Sequence, residues 1–123
     1  EGYACVLCVE TGADLSALQN CLKASEEMLA SGDSSRYSDM NQSFHYEIWN
    51  ASGNEKLVTM LSELWNGLSM GVQTTEREYA KKSFVEHKKI YEAIAAKDAE
   101  TARAQMEKHI RRSLEDMLTR YRE

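Results

Sequence analysis

Apolar residues recur along this chain at intervals of three to four positions, the period of one face of an α-helix. Leu15, Leu18, Cys21, Leu22, Met28 and Leu29 form one such stripe, and Tyr37, Met40, Phe44, Ile48 and Trp49 form the next. Leu57, Leu61, Leu64, Trp65 and Leu68 follow, then Phe84, Ile90, Tyr91 and Ile94. The last stripe runs through Ala99, Ala102, Met106, Ile110, Leu114, Met117 and Tyr121. Capping residues mark the divisions. A first helix ends near Thr11-Gly12, and Asp14 opens a second that Gly32 closes. Asp33 or Ser34 caps a third that runs to Ser52-Gly53, and Asn54 caps a long fourth. Gly67 and Gly71 interrupt that fourth stripe at a cost of about 1 kcal/mol each relative to alanine, which predicts a bend or a close backbone approach. The polar, aperiodic stretch Thr74 to Lys82 reads as a loop. Ser83-Phe84-Val85-Glu86 has the spacing of a capping box and starts a fifth helix, and Asp98 caps a sixth. Six helices with short connections predict an all-α antiparallel bundle.

Composition supports that fold. The 123 residues include no proline and suffice for one domain with a real core. A net charge of −5 and a pI near 5.3 argue against this segment gripping a polyanion by itself. Lys81, Lys82, Lys88, Lys89, Arg111, Arg112, Arg120 and Arg122 are interleaved with acidic residues, the pattern of a solvated helix face. The three cysteines, Cys5, Cys8 and Cys21, follow no secretory leader, so the expected setting is reducing and cytoplasmic. Cys5-x-x-Cys8 lies among small apolar residues and has no second pair, which favours core packing over zinc or redox chemistry. No apolar run reaches membrane-span length. The first residues, Glu1-Gly2-Tyr3-Ala4, read as already helical, as in a fragment of a longer chain.

The histidines change the picture. His45, His87 and His109 each fall within the inward stripe of a different helix. A neutral imidazole carries one donor and one acceptor nitrogen, and a buried polar atom without a partner costs roughly 1–3 kcal/mol. Three inward rings are therefore either separately hydrogen-bonded core residues or co-ligands of one divalent ion. Asn41 sits one helical turn before His45, the spacing at which one helix can hold one ion with two side chains.

The residues that flank these positions resemble a known family. Asn41-Gln42-Ser43-Phe44-His45, Ala51-Ser52-Gly53-Asn54, Glu86-His87-Lys88-Lys89-Ile90-Tyr91-Glu92-Ala93-Ile94, Asp98, Ala102 and Met106-x-x-His109 occur in order over essentially the whole chain. They are similar to the C-terminal sensor domain, FCD, of FadR-subfamily GntR transcriptional regulators. The six-helix count resembles the VanR-type subgroup.

The resemblance implies a divalent metal, Zn or Ni, held by Asn41, His45, His87 and His109 beneath a small-molecule cavity. Aspartate is the commoner residue where this chain has Asn41. It further implies a small organic acid as effector, a homodimer, and DNA contact only through a winged helix-turn-helix domain preceding residue 1. A carboxylate-clamping arginine of the family would also precede residue 1. Trp65, Asn66, Gln73 and Arg112 are the expected cavity wall, the first three on or just beyond the fourth helix's inward face and Arg112 one turn after His109. Two rivals use the same residues: a metal-dependent hydrolase and a structural metal site in an interaction domain. The hydrolase requires a general base, and no acidic residue falls on an inward stripe, although Glu47 and Glu86 are adjacent.

Overall fold

The computed structural model describes residues 1–32, 36–69 and 77–122. Six helices follow in order: α1 (Gly2–Thr11), α2 (Ser16–Ala30), α3 (Tyr37–Ala51), α4 (Glu55–Ser69), α5 (Arg77–Ala95) and α6 (Ala99–Arg122). The all-α expectation holds. α6 packs along α1 and α5, α2 against α3 and α5, and α3 reaches α1, α4 and α5. The core is a single cluster that draws Cys5 and Cys8 from α1, Leu18 and Leu22 from α2, Phe44, Ile48 and Trp49 from α3, Ile90 and Ile94 from α5, and Ala102 and Met106 from α6. Cys5 and Cys8 are core residues, as expected, and burial pushes their thiols up to about 12 and about 11, far from thiolate chemistry. None of the described helices is long and apolar enough to cross a membrane.

Local chemistry accounts for most helix ends. Gly12 adopts a left-handed conformation at φ 62°, and Ala13 N–H donates to the Cys8 carbonyl while Gly12 N–H donates to that of Val9, which closes α1 in a Schellman motif. Asp14 accepts from the backbone N–H of Ser16 at 2.9 Å, Asn54 from that of Leu57 at 3.1 Å, and Asp98 from that of Thr101 at 3.1 Å. The predicted caps Asp33 and Ser34 lie outside the described residues, as does Gly71, whereas Gly67 lies within α4.

Three expectations are corrected. The capping box does not form, because α5 begins earlier, at Arg77, and carries Ser83 and Glu86 in its interior. The predicted loop is accordingly helical over 77–82, with 74–76 outside the described residues. Ser83 is fully buried and accepts a hydrogen bond from Tyr37, and Glu86 turns to α6, so neither side chain is free to cap. Leu64 and Leu114, placed inward by periodicity, are 60% and 49% exposed. α4 rests mainly on α3, which leaves one flank of its stripe uncovered.

α5 ends with the Schellman pattern of α1 but without its glycine. Lys97 N–H donates to the Ile94 carbonyl and Asp98 N–H to that of Ala93, with Lys97 itself at φ 60°. A β-carbon in the left-handed region costs roughly 1–2 kcal/mol, and exposed Lys97 returns no burial against it. Lys97→Gly is expected to stabilise the domain by about 0.5–1 kcal/mol after glycine's own backbone entropy is subtracted, read from the urea midpoint. An unchanged or lower midpoint would refute the assignment of strain to this turn.

Candidate metal centre

α3, α5 and α6 each turn one imidazole to the same interior point. His45, His87 and His109 are 1%, 1% and 2% exposed. His45 Nε2 lies 3.2 Å from His109 Nε2, and His87 Nε2 lies 3.2 Å from the same atom. Phe44 stacks on His87 with ring centroids 4.0 Å apart, and Trp65 lies 5.0 Å from His45, so apolar rings wall the cluster.

The atoms behind the rings decide what faces inward. His45 Nδ1 meets Glu1 Oε1 at 2.5 Å, and the same oxygen accepts from the Trp49 indole at 2.8 Å. Burial by itself would raise the Glu1 carboxyl, but the His45 ring and the two hydrogen bonds outweigh it and hold the group at about 2. His109 Nδ1 meets Glu86 Oε1 at 2.7 Å. Glu86 is likewise held at about 2 despite burial, by His109 and by Arg112. Both carboxylates can only accept, so both Nδ1 atoms carry hydrogen, and a ring that is neutral then presents its Nε2 lone pair inward. For His87, Nδ1 lies 3.4 Å from the Tyr37 hydroxyl, whose own hydrogen goes to Ser83 at 2.9 Å. Donation from His87 Nδ1 to Tyr37 then leaves its Nε2 in the same state.

Three lone pairs pointing at one another repel unless something positive lies between them. Nitrogens sharing one ion at ~2.0–2.1 Å stand about 2.9–3.4 Å apart over octahedral to tetrahedral angles; the His45–His109 and His87–His109 separations of 3.2 Å fall inside that window, and the ligand atoms of all three residues lie within 4.8 Å of one another. The three histidines could therefore hold a metal ion. Asn41, one turn before His45 on α3, supplies a second sign. Its Oδ1 is the one buried side-chain oxygen or nitrogen without a hydrogen-bond partner among the described residues. A native protein rarely leaves such an atom unsatisfied, and an amide oxygen suits a divalent ion.

Of the expected cavity wall, Trp65 lies beside His45. Arg112 stands behind His109 instead: its Nε and Nη2 both reach Glu86 at 2.5 Å and its Nη1 reaches Asp116 at 2.5 Å. The Asn66 side chain and Gln73 lie outside the described residues. Glu1 and Glu86 are the functional residues that pattern reading missed as ring partners. Glu86 was visible beside His87, but its partner is on another helix, and nothing in the spacing pairs Glu1 with His45.

Burial holds His87 well below the usual 6.5, and burial lowers His109 against the opposing pull of Glu86. As pH falls through 6.5 the unfolded chain gains protons that the native chain refuses, so stability present above 6.5 is lost below it. Glu1 and Glu86, at about 2 against 4.5 unfolded, add a second loss between pH 4.5 and 2. With chelator present, the urea midpoint is expected to fall from pH 7.5 to 5.5 and again below 4.5. A midpoint flat down to pH 5.5 would contradict neutral buried rings.

Residues 1–112 match the FCD domain family, a span that contains Asn41 and all three histidines. The HTH-type transcriptional regulator LutR of Bacillus subtilis (strain 168) is 34% identical over 122 residues, which cover 90% of this chain and 52% of that protein. The chain thus spans about half the length of this curated relative. No solved structure gives a significant match. The chain belongs to the FCD domain family, the ligand-sensing domain of GntR-type transcriptional regulators.

Proposed function

We propose that this domain is the metal-dependent sensor of a small organic acid and that it governs DNA binding by a separate winged helix-turn-helix domain within a homodimeric regulator. The observation that carries the reading is the convergence of three buried imidazoles, with an unpartnered buried amide oxygen one turn before His45 on α3. Asn41, His45, His87 and His109 would hold the ion, with Zn or Ni suited to such a nitrogen-rich set. A divalent ion on these four neutral donors supplies net positive charge and an open coordination position to a carboxylate.

The chain's own residues prepare the site for that task. Glu1 and Glu86 lock the tautomers of His45 and His109, so no proton has to be displaced from Nε2. Arg112 holds Glu86 with two hydrogen bonds and fixes its orientation. Trp65 and Phe44 cover ring faces and limit water. An effector shifts DNA affinity only through its different affinity for two helix arrangements, so the site's connection to α3, α5 and α6 is what permits a signal. Support for a regulatory role comes from the relative, whose name is that of an HTH-type transcriptional regulator. The hydrolase reading is weaker because the two carboxylates nearest the histidines, Glu1 and Glu86, are already committed to imidazole N–H groups.

Metal-free protein titrated with Zn or Ni is expected to melt higher, by an amount equivalent to about 2.7 kcal/mol at a hundredfold excess over Kd, and His87→Ala is expected to abolish the rise. A carboxylic acid effector should raise the melting temperature further, and chelator should remove that increment. Acid stabilisation indifferent to chelator would sink the metal-dependent reading, and turnover of an ester or amide would favour the hydrolase. Asn41→Asp adds one negative charge and is expected to tighten metal binding while weakening that of the acid, both read by calorimetric titration. If both affinities stay the same, Asn41 is not a ligand.

A further inference from the structure

Trp65 also lines a groove of about 340 Å³ between α3 and α4. Its lining is unusual for a surface depression: Tyr46, Trp49 and Trp65 supply three aromatic rings, and Glu47 supplies a carboxylate. Adjacent rings stand nearly perpendicular. Tyr46 and Trp49 have centroids 6.3 Å apart at 68°, and Trp49 and Trp65 are 5.9 Å apart at 67°. Trp49 is buried and pinned through its indole N–H to Glu1, so it forms the base, while Tyr46, 44% exposed, stands at the rim.

Perpendicular aromatic walls with a carboxylate nearby are the chemistry that receives an alkylated ammonium ion. A ring face that borders the groove offers the negative side of its quadrupole, and methyl groups on nitrogen spread the positive charge over an apolar surface that packs against such rings. Glu47 forms no ion pair with any described residue. Gln42 and Ser62 add polar edges. An anionic ligand would be repelled by Glu47 and a neutral one would gain at most a hydrogen bond, whereas an ammonium gains from both features.

We propose that the groove formed by Tyr46, Glu47, Trp49 and Trp65 binds a small organic ammonium ion, separately from the histidine cluster. Trp49 and Trp65 are the chain's two tryptophans, so intrinsic fluorescence reports on this groove directly. The test titrates the chain, in EDTA and at constant ionic strength, with tetramethylammonium, choline and the neutral choline isostere 3,3-dimethylbutanol. Both cations are expected to give saturable fluorescence changes, and the isostere none at matched concentration. Glu47→Gln is expected to weaken the cations roughly threefold or more, and Tyr46→Leu roughly 2- to 30-fold. Melting curves matching the parent chain's would show that each variant is folded. Equal response to the isostere, absence of saturation, or unchanged midpoints in both folded variants would overturn the proposal.

Discussion

The polar cluster at the centre of this core depends on where each imidazole places its Nδ1 hydrogen. Glu1 takes it from His45, Glu86 from His109, and the Tyr37 hydroxyl faces that of His87. Each of these contacts crosses between elements: the start of α1 to α3, α5 to α6, and α3 to α5. The same bonds that orient the rings therefore tie four of the helices around them. Without those acceptors, three buried rings would be a liability of several kcal/mol, and the apolar packing around them could not compensate at every orientation. With them, the rings are held at a single tautomer and turned to a single point.

The outer carboxylates also change the charge balance of the site. A donor set of one amide and three neutral rings, as proposed, would leave a divalent ion its full charge when the four residues are taken alone. Glu1 and Glu86 stand directly behind two of those rings, and each is held ionised with a carboxyl at about 2. Glu86 shares its charge with Arg112, which also reaches Asp116, whereas Glu1 is balanced by hydrogen bonds from His45 and Trp49. On the proposed reading, the potential that an incoming anion would meet is set by this wider group, with Asn41 one contributor among several.

Trp65 borders both sites. It lies against His45 and also lines the α3–α4 groove with Trp49. Trp49 has a similar double place, since its N–H holds the carboxylate that holds His45. Occupants of the two sites would therefore press on the same two indoles, and any coupling between them would pass through direct contacts.

The sequence alone determined the helices, their caps at Gly12, Asn54 and Asp98, and the inward placement of all three histidines, because periodicity and capping are local and extend over a few residues. Where a local signal had two meanings, it misled. Ser83 and Glu86 are spaced i, i+3, which suits a helix start and a helix interior equally, and only the packing of Tyr37 and His109 against them showed the second. Leu64 and Leu114 follow their stripes faithfully, but a stripe is buried only as far as another element covers it. Tertiary structure decided the convergence of the three Nε2 atoms, the pairing of Glu1 with His45 and of Glu86 with His109 and Arg112, and the aromatic groove beside Trp65. Those contacts join residues far apart in the chain, and their distances come from how helices cross, a quantity that no spacing within one helix encodes.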